Sequence, residues 1–166
     1  MQCACPAAVD LLYLMGMENQ CTVNSVEETW AVAARFAAEL APGDVVCLEG
    51  DLGAGKTTFT QGVGRALGVK RAVTSPTFCI VAEHPSPKFL LVHMDLYRLR
   101  TPEDVLAIGW EEYLARGAVL FVEWADRAGE LIPPTARHVR FAFGDAEDER
   151  TIAFSQEEAL PGGQGR

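Results

Sequence analysis

The chain has 166 residues, a length suited to one domain that buries its own hydrophobic core. Hydrophobic residues make up 49% and charged residues 22%, which excludes a wholly disordered or collagen-like chain, and no run of 18 apolar residues offers a membrane-spanning helix. The net charge of −9 argues against a broad basic surface for gripping nucleic acid, so neither DNA nor a membrane is expected as a partner.

That charge is uneven. Residues 53–100 carry seven basic and two acidic side chains, whereas residues 1–52 carry one basic and eight acidic. An anionic ligand or an acidic partner is expected at the positive middle. The five cysteines (Cys3, Cys5, Cys21, Cys47 and Cys79) are odd in number and two lie in apolar runs, the usage of free thiols in a reducing cytosol. Cys3 and Cys5 lack a second ligand pair that would complete a soft-metal site, so they read as incidental thiols.

The N-terminus has no basic segment, and Asp10 interrupts its apolar stretch, so it does not read as a signal peptide. Residues 1–20 are expected to be a disordered extension or an over-long reading of the gene, with translation starting near Met17. Residues 21–156 are expected to form the domain and residues 157–166, rich in glycine, a flexible tail. Ser25 and Glu28 have the spacing of a capping box, and Trp30, Ala33, Ala34, Ala37 and Leu40 then follow a helical period. Residues 45–48 read as a buried strand and residues 56–67 as a helix stopped by Gly68. Residues 78–82 and 89–94 read as a hairpin, and Thr101 with Pro102 opens a helix. A short helix over 110–115, an apolar strand over 118–122 and a late hairpin from 139–143 and 151–154 complete the set. The mixture predicts a single α/β domain with a central mixed sheet flanked by helices.

Between the first buried strand and its helix lies Gly50-Asp51-Leu52-Gly53-Ala54-Gly55-Lys56-Thr57, which fits G-x-x-x-x-G-K-[ST] at every fixed position. Glycines let the backbone turn tightly against phosphate oxygens, and the helix that follows aims its positive end at the anion. In such a phosphate loop Lys56 reaches the β- and γ-phosphates and the Thr57 hydroxyl is placed to ligate Mg2+. The surrounding strand and helix are the context that the motif requires, so the fold expected is that of a P-loop NTPase.

An acid at the end of a neighbouring apolar strand would complete the site. Asp95 and Glu123 both stand at such ends, and either could hold the Mg2+ shell or orient an attacking water; both are expected to reach the site. His93 shares a strand face with Asp95, but with no third metal ligand in view it reads as a core or hairpin-face histidine. Ser75, Pro76 and Thr77 connect the loop's helix to the next strand, either as a sensor of the γ-phosphate or as a proline-bearing turn. Lys56 itself is expected to face solvent when no nucleotide is bound.

Taken in order, residues 50–58, Ser75-Pro76-Thr77-Phe78, Asp95-Leu96-Tyr97-Arg98-Leu99 and Val122-Glu123-Trp124 resemble the bacterial TsaE (YjeE-type) P-loop ATPases of tRNA threonylcarbamoyladenosine biosynthesis. The likeness spans about residues 22–134. It implies a cytoplasmic protein that binds ATP and Mg2+, hydrolyses ATP weakly alone, works with the TsaB–TsaD pair and meets tRNA only through it. Carried over by position, the amides of residues 50–58, with Thr58 among them, and Lys56 hold phosphate. Thr57 and Glu123 ligate Mg2+. Asp95 contacts the nucleotide–metal region, residues 75–77 form a switch, and the stretch around Asn24 and Ser25 lies near the adenine. Phe78 and Cys79 stand where the family often has Tyr and Thr.

Two other readings share the loop. An ATP-gated binding module would need no hydrolysis. A small-molecule kinase would need a mobile Arg-bearing lid, for which Arg65, Lys70 and Arg71 are the available cations although no lid-like insertion is present. A GTPase would carry Asn-Lys-x-Asp, which the chain lacks.

Overall fold

The computed structural model of the protein describes residues 20–76 and 79–156; Cys3, Cys5, Met17, Thr77, Phe78 and the tail 157–166 lie outside them. Seven strands form one sheet: β1 (Gln20–Val23), β2 (Val45–Glu49), β3 (Val81–Pro85), β4 (Leu90–Asp95), β5 (Val119–Glu123), β6 (Arg137–Phe143) and β7 (Arg150–Gln156). Their order is β1-β7-β6-β2-β5-β4-β3. The four central strands β6, β2, β5 and β4 run parallel, while β3, β7 and β1 pair antiparallel at the two sides. The sheet is therefore mixed, as its short apolar strands predict.

Both faces are covered, which is why β2 and β5 read as continuous apolar runs rather than alternating ones. Val46, Leu48, Leu91 and Phe121 point to the face packed by α1 (Val26–Ala38) and α2 (Lys56–Ala66). Val45, Cys47, Val92 and Val122 point to the other, packed by α3 (Pro102–Ala107), α4 (Trp110–Ala115) and a 3-10 stretch over Ala125–Leu131. On the first face Phe36 meets Phe59, Phe121 and Phe154 at ring-centroid distances of 5.5, 6.3 and 5.6 Å. Helices α1 and α2 touch at Gly62, where a Cβ would come within 2.7 Å of the Ala33 Cβ. That contact locks the helix carrying the phosphate-loop motif against α1.

The helix starts fall where capping predicts. Ser25 Oγ accepts from the Glu28 amide at 3.1 Å, although the Glu28 carboxylate takes the amide of Asn24 rather than closing the box on Ser25. Thr101 and Asp104 form the full reciprocal box. Three features depart from expectation. Strand β3 begins at Val81 instead of 78, because the Pro76 carbonyl takes the amides of both Cys79 and Ile80 in a turn. Strand β1 carries no strand signal in the sequence, because it has only four residues and Val23 alone of them is buried. The 3-10 stretch carries none either, being broken at Gly129.

Cys21, Cys47 and Cys79 are thiols rather than disulfides. Burial pushes the Cys21 thiol up to about 11, which keeps it inert. Among the described residues no helix is long and apolar enough to cross a membrane.

Candidate functional site

Strands β2, β5 and β4 are parallel neighbours, so their carboxyl ends finish side by side. Leu48 pairs with Glu123, and Glu123 pairs with Asp95. Side chains alternate along a strand, so His93 and Asp95 on β4 project to the same face as Phe121 and Glu123 on β5, the face that α2 covers. Open parallel sheets bind ligands at this end, and here the phosphate-loop motif runs directly from β2 into α2.

The loop keeps positive φ at Gly50 (138°), Gly53 (80°) and Gly55 (112°). Gly50 is under the tightest constraint, since a Cβ there would lie 2.4 Å from the carbonyl oxygen of Phe141 on β6. Gly50→Ala is therefore expected to cost about 2 kcal/mol or more of stability, from the strained φ and the backbone clash together. Chemical denaturation measures that loss. Asp51, Leu52 and Gly53 are exposed at the tip, with Leu52 at 96%, while Ala54 is buried and its amide bonds Asp51 O at 3.1 Å. The amide of Phe59 makes the first α2 bond, to Gly55 O at 2.9 Å, so the amides of Lys56, Thr57 and Thr58 occupy the helix's unsatisfied first turn. A helix with its positive end at a glycine loop and a cation within the loop has the donor set for a polyphosphate.

The Lys56 ammonium is turned inward, contrary to the solvent-facing expectation. It donates to Gly50 O at 2.6 Å and Asp51 O at 3.0 Å, and it lies 3.6 Å from Glu123 Oε2. Its side chain is 12% exposed. Two loop carbonyls accept its hydrogen bonds and a carboxylate balances its charge. Asp95 is buried at the end of β4, and its Oδ1 accepts from the Tyr97 amide at 3.1 Å. The structure thus brings Lys56 and Glu123 together, with Asp95 on the adjoining strand.

His93 is buried and its Nε2 lies 2.9 Å from Glu123 Oε1. Its partner is Glu123 on the neighbouring strand, and among the described residues no group of three or more His, Cys, Asp or Glu is placed to hold a metal ion. A hard cation such as Mg2+ takes only one or two protein carboxylates when phosphate and water supply the rest, so oxygen donors such as Glu123 and Asp95 suit it.

Trp124 follows Glu123 in the left-handed region (φ 58°, ψ 45°), an uncommon position for a bulky residue. The turn exposes its ring, which lies 5.0 Å from that of Tyr97. Beside Lys56 and Glu123 opens a cleft of about 550 Å3, whose far wall includes Glu49, Asp126 and His138. Burial alone would raise the Glu49 carboxyl, but hydrogen bonds from His138 and Arg140 outweigh it and hold that carboxyl below its ordinary value. Sequence patterning did not single out this wall. The one available signal was Glu49 closing an apolar strand just before the loop.

The other predicted residues lie around this centre. Thr57 and Thr58 are half-buried in the first turn of α2. Ser25 caps α1 and does not line the cleft. Ser75 is exposed, Pro76 is buried, and Thr77 lies outside the described residues. The turn at Pro76 is tied to the site through Ile80, whose carbonyl takes the Asp95 amide at 2.9 Å.

The model of the family described as threonylcarbamoyl adenosine biosynthesis protein TsaE matches residues 23–152. The tRNA threonylcarbamoyladenosine biosynthesis protein TsaE of Bacillus subtilis is 45% identical over 134 residues, covering 81% of this chain and 82% of that protein. The protein of the same name from Rickettsia bellii is 36% identical over 142 residues, covering 85% and 97%. The crystal structure of Bacillus subtilis YdiB superposes with a TM-score of 0.70 at 38% identity, covering 84% of this chain and 85% of that one. With the phosphate loop, the two strand-end acids and the mixed sheet in place, the chain belongs to the TsaE family.

Proposed function

We propose that the protein is a Mg2+-dependent ATPase of tRNA threonylcarbamoyladenosine biosynthesis that works in the cytoplasm with the TsaB–TsaD pair and meets tRNA only through that pair. The observation that carries the reading is the Lys56 ammonium, held inside the glycine loop by two carbonyls and 3.6 Å from Glu123. That is a cation stored where the phosphates of ATP would lie. Lys56 exchanges the carbonyls of Gly50 and Asp51 for phosphate oxygens, and the first-turn amides of α2 bind the same anion.

The Thr57 hydroxyl and the Glu123 carboxylate hold Mg2+, with Asp95 beside them. When bound, the metal neutralises charge that develops on the transferred phosphoryl group. Gly50, Asp51, Leu52, Gly53, Ala54 and Gly55 wrap the phosphates, and Thr58 adds its amide. By the family resemblance the segment around Asn24 and Ser25 would lie near the adenine, beyond the residues that line the cleft, with the Ser25 hydroxyl still on the Glu28 amide. Residues 75–77 sense the γ-phosphate, and the link from the Pro76 carbonyl through Ile80 to Asp95 supports that role. Exposed Trp124 and Tyr97 flank the site where a partner would have to reach it.

Steady-state phosphate release, with and without the organism's own TsaB–TsaD pair, tests the proposal. Slow turnover alone and a several-fold rise with the pair are expected. Turnover that ignores the pair would refute the partnership.

A further inference from the structure

His93 has no exposed surface, so it cannot touch a ligand in the cleft. Its Nε2 is 2.9 Å from Glu123 Oε1, while Lys56 approaches the other carboxylate oxygen, Oε2, at 3.6 Å. A carboxylate accepts hydrogen bonds and donates none, so the ring hydrogen sits on Nε2. Nδ1 is then a buried acceptor without a partner. The reverse tautomer would bury an orphan N–H and set a ring lone pair against the carboxylate, which is worse. Even so, an imidazole with one unsatisfied nitrogen is a costly occupant for a fully buried site that an apolar side chain could fill.

The terminal torsion of a glutamate is broad, so a carboxylate with no partner has no fixed plane. A donor at 2.9 Å on Oε1, from a ring that is itself fully buried, narrows that torsion and leaves Oε2, which only the Lys56 ion pair approaches, to a cation. Lys56 must leave Glu123 to serve a phosphate, and His93 then remains as the donor seen on that carboxylate. We infer that His93 is a positioning residue that holds the Glu123 carboxylate in its metal-binding orientation when Lys56 turns to the nucleotide. The inference rests on the proposed role of Glu123 as a metal ligand.

The test compares the full chain with its His93→Leu, His93→Gln and Glu123→Gln variants. Calorimetry gives the Mg2+ concentration needed for half-maximal binding of a non-hydrolysable ATP analogue, alongside the melting temperature and ATP turnover. His93→Leu is expected to raise the Mg2+ requirement about tenfold, the lower end for loss of a partner behind a metal ligand, with analogue binding in EDTA unchanged. His93→Gln places an amide N–H near the lost Nε2 and should restore most of the Mg2+ response. A folded His93→Leu protein with the wild-type Mg2+ requirement would overturn the inference, as would a glutamine variant impaired as much as the leucine one. Should the leucine variant not fold, the imidazole 15N shifts of the wild type decide: hydrogen on Nε2 supports the inference, and hydrogen on Nδ1 alone overturns it. An unchanged Mg2+ requirement in Glu123→Gln would remove the metal role of Glu123 itself, and the inference with it.

Discussion

Replacing Lys56 with alanine is expected to lower kcat/KM for the proposed ATP hydrolysis by about 100- to 1,000-fold or more, while the protein stays folded. The side chain removed is the cation that the loop cradles, and neither Arg65 nor Arg140 is free to replace it. Arg65 is committed to the Trp30 ring at 4.0 Å, and Arg140 is held by Glu49 at 2.9 Å. The loop does not depend on Lys56 for its shape, because the positive φ of its glycines and the Ala54–Asp51 bond already define the turn. Glu123 keeps its hydrogen bond to His93. The carbonyls of exposed Gly50 and Asp51 can turn to water, but Glu123 is buried and loses its cation, so a cost of about 1–3 kcal/mol is expected. Phosphate release and a circular-dichroism melt check both halves. Unchanged turnover in a folded variant would refute the phosphate-loop assignment.

Glu123→Gln is expected to lower Mg2+-dependent turnover by about a thousandfold, the several kcal/mol that a correctly held metal supplies. The amide preserves size, and its oxygen can still accept from His93 Nε2, so the melting temperature should change little. What is lost is the negative charge facing Mg2+ and Lys56. ATP binding measured in EDTA should persist, in contrast to Lys56→Ala, which is expected to lose binding as well. A glutamine variant that keeps the wild-type rate would move the metal role to Asp95, its register partner on β4.

Much of this site is legible in the sequence because its chemistry demands fixed residue types at fixed spacing. Glycines, lysine and threonine of the phosphate loop are adjacent in the chain, and a strand and a helix of ordinary pattern enclose them. Asp95 and Glu123 are legible because each ends an apolar run. The hidden features depend on which strands become neighbours. His93 meets Glu123 only because β4 lies beside β5, thirty positions later, and Glu49 meets His138 only because β6 lies beside β2. Strand order is not local information. The inward turn of Lys56 is hidden for a related reason, since its acceptors are backbone carbonyls that every residue carries. The late start of β3 came from the turn at Pro76, where two amides share one carbonyl.

We propose that ATP is cleaved to ADP and phosphate at Lys56 and Glu123. The most direct test is to incubate the purified protein with ATP and Mg2+ and quantify both products. ADP and inorganic phosphate in equal amounts, both abolished by EDTA, are the predicted result. ATP bound without ADP formed, or ADP formed without free phosphate because an acceptor has taken it, would contradict the account.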